Sequence, residues 1–231
     1  MRFRVPADDL SEAASFYETD YKQGFTTHCP SPADLRDLLQ CEFTHTEKDY
    51  TRYIEVVTAA GLNPGDRLLD FGCSWGYGSW QLAQARFSVL SHEVSRIRST
   101  YAAQHLGCEV VEACDRIEPV KCFFSAHVIE HIPDPSVWLT WAVRILEKDG
   151  VMICFVPNGN PALEGVYGSK RYHQLWGKVH PLLWTPAALK AIATRHGFRP
   201  YVFSSPYSVD RIQRREEDDT MGEELLLLAY K

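Results

Sequence analysis

The sequence predicts a doubly wound α/β fold, in which helices cover both faces of a mostly parallel sheet. Two observations predict this fold. From residue 67 onward, short apolar runs alternate with helical segments, as expected of strands joined by crossover helices. These runs are apolar at nearly every position, which indicates strands that are buried on both faces.

The chain before this alternation is expected to be helical. Its first forty or so residues are weakly patterned and rich in aromatic side chains. Thr46 is a suitable N-cap for a helix that ends at Gly61. The apolar residues of this helix recur at helical spacing, at Tyr50, Tyr53, Ile54 and Val57.

Five strands are then predicted in succession, at residues 67–71, 87–91, 109–112, 122–126 and 151–156. A helix is predicted over residues 76–85. Ser95 is expected to cap the next helix, which presents Ile97, Tyr101 and Leu106 on one face. Asp134 and Pro135 suit the N-cap and first position of a third helix.

The alternation breaks after the fifth strand. Residues 157–184 form an aromatic and basic insertion, and segments of this length are often functional. Thr185 then caps a helix, and two strand-like runs follow at residues 201–204 and 224–230. The charged segment 211–219 is interpreted as a solvated loop, because its acidic and basic residues nearly cancel.

Composition excludes several classes of protein. The chain is 45% hydrophobic and 23% charged, as is typical of a globular protein. Its net charge of −6 argues against a nucleic-acid partner. No apolar run approaches the roughly 20 residues that span a bilayer, so no membrane association is expected. No signal-peptide pattern is present, and the seven cysteines include no Cys-x-x-Cys pair. We therefore expect a cytoplasmic protein with reduced cysteines; no oligomeric state is predicted.

The strongest functional motif is LLDFGCSWGYG, at residues 68–78. A strand leads into a glycine-rich turn and then into a helix, so the backbone can approach a ligand and offer N–H donors. The dinucleotide fingerprint requires glycine at its first, third and sixth positions. Those positions hold Gly72, Ser74 and Tyr77, so two of the three fail. An NAD(P)-dependent oxidoreductase therefore remains an alternative, but a weaker one.

Three segments together resemble the class I S-adenosylmethionine-dependent methyltransferases. The first is the acidic-x-Gly-x-Gly-x-Gly pattern from Asp70 to Gly76, in which Ser74 replaces the middle glycine. The second is Glu93, which follows the second strand and is suitably placed for ribose hydroxyls. The third is FFSAHVIEHIPDP at residues 123–135. The resemblance covers residues 64–157 and implies a Rossmann-like, seven-stranded sheet with an antiparallel last strand.

The resemblance also implies a cofactor, S-adenosylmethionine, and residues that bind it. The glycine-rich turn would line the methionine part, and Glu93 would hold the ribose. Asp115 would accept from the adenine amino group, and His127 would lie along the cofactor's edge. The full predicted set is Asp70, Gly72, Cys73, Ser74, Gly76, Glu93, Asp115 and His127.

We expect one methyltransferase domain over residues 1–231. Within it, residues 1–62 would form an N-terminal helical cap and residues 63–156 the cofactor-binding core. Residues 157–184 would form a substrate-side insertion, and residues 185–231 the C-terminal helix and strand pair. A fold of this type does not guarantee catalysis, so a non-catalytic protein that binds S-adenosylmethionine remains an alternative.

A zinc-protease pattern, His-x-x-Glu-His, also occurs at residues 127–131. That chemistry requires both histidines on one face of a continuous helix. Here a strand precedes the pattern, and Pro133 and Pro135 follow it directly, which leaves little room for a helix. We therefore predict no metal.

The expected acceptor is a small polar molecule that is methylated at oxygen, such as a sugar, a sugar nucleotide or a phenolic metabolite. The predicted acceptor-binding residues are Asn158, Tyr167, Arg171 and Trp176. A hydroxyl acceptor loses a proton, and histidine titrates in the appropriate range. The candidate bases are His131, His180 and His173, in that order.

Overall fold

The structure is a computed structural model that describes residues 1–3, 28–113, 116–173 and 180–231. The strands, in chain order, are β1 (Arg2–Phe3), β2 (Arg67–Phe71), β3 (Ser88–His92), β4 (Glu109–Val110), β5 (Val120–Ala126), β6 (Leu146–Pro157), β7 (Leu182–Leu183), β8 (Arg199–Ser204) and β9 (Glu224–Tyr230). The helices are α1 (Pro32–Gln40), α2 (Thr51–Ala59), α3 (Tyr77–Gln84), α4 (Arg96–Leu106), α5 (Pro135–Ile145), α6 (Ala162–Tyr167), α7 (Ser169–His173), α8 (Pro186–Arg195) and α9 (Val209–Arg214).

The main sheet has seven strands in the order β4-β3-β2-β5-β6-β9-β8. The pairs β2–β3, β3–β4, β2–β5 and β5–β6 are parallel. Strand β9 runs antiparallel to both of its neighbours, β6 and β8. The predicted fold class, a mostly parallel seven-stranded sheet with an antiparallel last strand, is therefore confirmed.

The strand order reverses direction between β2 and β5. The chain passes outward from β2 to β3 and β4, and then returns to β5 on the other side of β2. Connections that leave neighbouring strands in opposite directions open a crevice at the carboxyl ends of those strands. The glycine-rich turn after β2 and the segment after β5 both lie at this crevice.

The sheet separates two hydrophobic cores. Successive residues of a strand point to opposite faces. In β2, Leu69 contributes to one core together with Trp138 and Trp184, whereas Leu68 contributes to the other. Both cores are closed by helices, which explains why the strands are apolar without alternation.

Two predictions about helices are wrong in detail. Helix α2 begins at Thr51, because the Asp49 carboxylate accepts from the Thr51 N–H and the Thr46 hydroxyl instead donates to a backbone carbonyl. Helix α4 does begin after Ser95, but its buried residues are Arg98 and Ala102. Ile97, predicted on its apolar face, is 69% exposed.

The insertion after β6 is partly regular. It contains α6 and α7, and β7 pairs with the N-terminal β1 in a two-stranded antiparallel sheet. Trp184 is buried and packs edge-on against Trp138, with ring centroids 6.3 Å apart. It therefore anchors the end of the insertion on the core. Within the described ranges, no helix has the length and apolarity to cross a bilayer.

The charged segment 211–219 is not simply a solvated loop, as was predicted. Its first part belongs to α9, and its carboxylates protect an edge strand. Glu217 accepts from the Val202 N–H at 2.6 Å, and Asp218 accepts from the Ser204 N–H at 2.8 Å. Both donors belong to β8, the outer strand of the sheet, whose backbone would otherwise be open to pairing with another chain.

Candidate active site

The glycine-rich turn leaves β2 in a conformation that few residues adopt. Gly72, Ser74 and Gly76 have positive φ angles of 87°, 52° and 92°. The N–H groups of Gly72 and Cys73 both donate to the carbonyl oxygen of His92, at 2.8 and 3.0 Å. The turn is thereby fixed to the end of β3, and α3 begins directly after it.

Glu93 connects this turn to the following helix. One oxygen of its carboxylate accepts from the Ser74 N–H at 3.0 Å. The other accepts from the Ser95 N–H at 2.9 Å and pairs with the Arg98 guanidinium at 2.8 Å. Glu93 therefore supports the start of α4, and its side chain also lines the cavity described below. Its predicted contact with ribose stays a prediction.

Asp70 lies beneath the turn rather than on the cavity wall. It is 2% exposed, and its carboxylate accepts from the Ser79 hydroxyl at 2.7 Å. The Ser79 oxygen in turn accepts from the Ser91 hydroxyl at 2.8 Å. Burial raises the pKa of Asp70 to about 7, although the bond from Ser79 opposes this. Asp70 thus shapes the turn from below.

Gly76 and Cys73 also face the protein rather than the cavity. A Cβ added at Gly76 would lie 2.8 Å from the Ala102 Cβ and 2.9 Å from the Cys108 Sγ. This glycine therefore allows the turn to pack closely against α4. Cys73 is buried, and burial raises the pKa of its thiol well above the usual value.

A cavity of about 1080 Å³ opens at the carboxyl ends of β2, β3 and β5. Its volume lies just above the usual range for small-molecule sites. One wall comes from α2, and the opposite wall comes from the segment after β5 and from α5. The cofactor-binding candidates on its surface are Gly72, Ser74, Glu93 and His127.

Glu224, at the start of β9, binds four polar side chains, of which Arg52, Tyr53 and His127 line this cavity. It accepts from the Tyr53 hydroxyl at 3.0 Å, the Tyr207 hydroxyl at 2.7 Å and the Arg52 guanidinium at 3.4 Å. It also forms a short bond with the His127 Nε2. Burial acts to raise the pKa of Glu224, but these partners hold it below its usual value.

His127 is clamped between two carboxylates. Its Nε2 contacts Glu224, and its Nδ1 lies 3.5 Å from the Glu130 Oε1. Burial opposes protonation of the ring, but the two carboxylates outweigh it and raise the pKa of His127 to about 10. Both ring nitrogens face carboxylate oxygens, an arrangement that favours the protonated imidazole acting as a hydrogen-bond donor.

The two first-ranked candidate bases meet at one point of the cavity. The rings of His131 and His180 have centroids 4.7 Å apart, and both residues line the cavity. Glu130 lies behind them with 1% exposure, and its Oε1 is 3.9 Å from the His131 Nε2. Residues Ile129–His131 form a three-residue 3₁₀ turn, so the continuous helix of a zinc protease is absent from this segment.

The remaining acceptor-side candidates do not meet at this point. Asn158 is fully buried: its Nδ2 donates to the carbonyl oxygens of Thr220 and Gly222, and its Oδ1 accepts from the Asn160 N–H. Tyr167 lines a second cavity of about 570 Å³ beside the first. Four candidates lie wholly or in their side chains outside the described residues: Asp115, Arg171, His173 and Trp176.

Sequence reasoning missed three residues of this site. Glu224 is the one acidic residue of the strand ELLLLAY, and a charge at the end of such an apolar run is a signal of a buried partner. Glu130 stood within the His-x-x-Glu-His pattern. Arg52 lies on the polar side of α2, and nothing in the sequence relates it to β9.

A family model described as a methyltransferase domain matches this chain over residues 44–201. Curated relatives include the ubiquinone biosynthesis O-methyltransferase of Psychrobacter arcticus, 26% identical over 58% of this chain and 59% of that protein. The enzyme of the same name from a Ruegeria species is 29% identical over 42% of this chain and 43% of that protein. The chain thus aligns with about half the length of the curated relatives it matches.

Solved structures share the fold at low sequence identity. The magnesium protoporphyrin IX methyltransferase of Synechocystis has a TM-score of 0.61 and 14% identity, over 96% of this chain and all of that chain. A TehB-like methyltransferase of Corynebacterium glutamicum has a TM-score of 0.58 and 18% identity, over 86% of this chain and 94% of that chain. These likenesses concern the fold.

We predict that Gly72→Ala destabilises the protein mainly through a contact with Val128. An added Cβ would lie 2.3 Å from the Val128 Cγ2. Overpacking of this kind costs about 1–3 kcal/mol, in addition to roughly 1 kcal/mol for a side chain at positive φ. Gly61→Ala is the matched control, because Gly61 has a φ of +103° with nothing within 4 Å. Denaturant unfolding measures both.

In a Val128→Ala background, the cost of Gly72→Ala should fall toward that of Gly61→Ala and stay somewhat above it, because the Val128 Cβ that remains lies 3.0 Å from the added Cβ. This double-mutant cycle isolates the contact. An equal cost of Gly72→Ala in both backgrounds would show that Val128 does not constrain the turn.

We predict that Asp70 makes the stability of the protein depend on pH. Its pKa in the folded protein, about 7, exceeds the usual value of 3.8, so the folded state holds a proton that the unfolded chain releases. The free energy of unfolding should therefore fall as pH rises from about 4 to 7, by up to about 1.4 kcal/mol per pH unit. Asp70→Asn should abolish this fall, whereas Ser79→Ala, which removes a bond that lowers the pKa, should extend it to higher pH. If the free energy of unfolding changed with pH in the same way in the wild type and in Asp70→Asn across this window, the prediction would be contradicted.

Proposed function

The chain belongs to the family of methyltransferase domains, and we propose that it uses S-adenosylmethionine to methylate an oxygen atom of a small molecule held in the main cavity. The observation that carries the proposal is the arrangement along this cavity. The glycine-rich turn and Glu93 lie at one part of it, and His131 with His180 lie at another. One cavity therefore joins a cofactor-binding turn to a cluster of groups suited to a reactive oxygen.

The cofactor is assigned to the turn because of its backbone. In this proposal, the methionine part lies against Gly72 and Ser74, the two residues of the turn that line the cavity. The ribose lies at Glu93, whose carboxylate can accept from two hydroxyls after partly releasing its present N–H donors. Asp70, Cys73 and Gly76 act by shaping the turn. The Synechocystis methyltransferase, which shares this fold, was solved with bound SAH.

The acceptor is proposed to be a phenolic hydroxyl. Aromatic side chains on the cavity wall suit a planar ring, notably Tyr53, Tyr77 and Trp141. The curated relatives are named as O-methyltransferases of ubiquinone biosynthesis, which supports oxygen as the methylated atom. The net charge of −6 disfavours a nucleic-acid acceptor. Sugars and sugar nucleotides are the other acceptors to compare.

The chemistry needs positioning more than activation. The acceptor oxygen forms a bond to the methyl carbon while the carbon–sulfur bond breaks, and the sulfonium leaves as a neutral thioether. Alignment of the two reactants can supply roughly 7–11 kcal/mol. The hydroxyl proton must also leave, for which a placed base gives about 10²–10⁴ in rate. His131 and His180 are the histidines at this end of the cavity that can assist this step, because both ring nitrogens of His127 already face carboxylates.

We predict that calorimetric titration shows binding of S-adenosylmethionine but not of NAD or ATP. Glu93→Gln should weaken this binding by about 1.5–3 kcal/mol, the scale of a hydrogen bond to a charged group. Glu109→Gln, an exposed residue of β4, is the control and should bind normally. Thermal unfolding of both variants without ligand separates lost binding from lost folding. Tight NAD binding would favour an oxidoreductase and contradict the assignment.

We predict transfer of a labelled methyl group from S-adenosylmethionine to a panel of phenols, with the label recovered as a methyl ether. Sugars, sugar nucleotides and transfer RNA are tested in parallel. Labelling of transfer RNA alone would contradict a small-molecule acceptor. Cofactor binding with no transfer to any acceptor, including a metabolite extract, would favour the non-catalytic alternative.

A further inference from the structure

We propose that Glu130, His131 and His180 bind a divalent transition-metal ion, which holds the reacting oxygen of the acceptor. This departs from the expectation of no metal drawn from the sequence. The role of the ion rests on the proposed function, but its binding does not.

The geometry provides three donor atoms around one point. One ligand atom from each of the three residues lies within 4.8 Å of the other two. A cation that binds at about 2.0–2.2 Å holds its ligands roughly 3–3.5 Å apart, so a small side-chain adjustment closes the site. His131 and His180 come from distant parts of the chain, and both line the cavity. A bound ion would therefore keep open coordination positions toward the acceptor.

Glu130 is the observation that points to a ligand. Its carboxylate is 1% exposed, and neither oxygen has a hydrogen-bond partner within the described part of the chain. A buried carboxylate without hydrogen bonds carries a large desolvation cost. The nearby His127 offsets only part of this cost, because its Nδ1 lies 3.5 Å from the Glu130 Oε1, which is too long for a strong hydrogen bond. A cation between Glu130 and the two imidazoles would satisfy the carboxylate directly.

The donor set selects the class of metal. Two imidazole nitrogens and one carboxylate suit Zn²⁺, Co²⁺, Mn²⁺ or Fe²⁺ better than Mg²⁺ or Ca²⁺, which prefer oxygen ligands only. Three protein ligands with open positions are typical of a catalytic rather than a structural site.

The geometry favours this interpretation over a Glu-supported histidine base. A carboxylate that orients an imidazole accepts a hydrogen bond from it, at about 2.6–3.2 Å. The His131 Nε2 lies 3.9 Å from the Glu130 Oε1, which is too far for such a bond. The spacing suits two ligands of one ion.

The ion would act on the acceptor hydroxyl as a Lewis acid. Coordination to the ion would lower the pKa of the hydroxyl, as it lowers the pKa of a metal-bound water molecule. The hydroxyl proton would then pass to solvent. The resulting oxygen anion forms the bond to the methyl carbon as the carbon–sulfur bond breaks. No bond is hydrolysed and no redox change occurs, so this is not protease chemistry.

Cobalt and zinc test the binding directly. Protein stripped with a chelator is titrated with Co²⁺, whose visible absorption reports its ligands, and with Zn²⁺ by calorimetry. Equimolar binding is expected for wild type. Glu130→Gln and His180→Gln should each weaken binding at least about 10-fold. The control is His105→Ala, which removes an exposed histidine on α4 outside the cluster and should bind normally.

Two further measurements keep the result unambiguous. Circular dichroism and binding of S-adenosylmethionine establish that each variant is folded. Absence of equimolar binding in wild type, or binding that Glu130→Gln and His180→Gln leave unchanged, overturns the site. Full methyl transfer by the stripped enzyme overturns the role of the ion while the proposed function stands. Metal binding without transfer to any acceptor leaves the site intact and refutes the proposed function.

Discussion

Three hydrogen bonds fix the glycine-rich turn to the end of β3, and the rest of the site depends on them. Two come from the N–H groups of Gly72 and Cys73 to the His92 carbonyl, and the third joins the Ser74 N–H to Glu93. They hold the backbone at positive φ, where it cannot continue as strand or helix. The crevice between the diverging β2 and β5 connections thus keeps a wall of bare backbone, against which a cofactor can lie.

Three buried carboxylates belong to the site, and they differ in the number of hydrogen-bond partners that each one has. Asp70 has one hydroxyl donor, and burial dominates, so its pKa rises to about 7. Glu224 has four partners, which lower its pKa despite burial. Glu130 has neighbouring histidines but no hydrogen bond within the described residues. One carboxylate therefore shapes the turn, one holds His127, and one is the carboxylate that we propose as a ligand of a cation.

The sequence allowed the fold and the family to be predicted, but little of the acceptor side. Apolar runs such as Arg67–Phe71 and Glu224–Tyr230 gave strands with correct bounds, because burial on both faces leaves a local signal. The cluster at Glu224 could not be predicted, because its partners come from α2, from the segment after β5 and from beyond β8. Contacts between residues far apart in the chain leave no periodicity. Asn158 was predicted from its position after β6, but its amide is used within the fold.

The central claim is that the cofactor lies against the glycine-rich turn and Glu93 while the turn keeps its two bonds to the end of β3. A crystal structure with S-adenosylhomocysteine tests it most directly. The account predicts ribose hydroxyls within about 3.2 Å of the Glu93 carboxylate. It also predicts that Gly72 and Cys73 keep their bonds to the His92 carbonyl and that the sulfur faces the His131–His180 end of the cavity. Ligand density elsewhere, or a turn that has left β3, would contradict it.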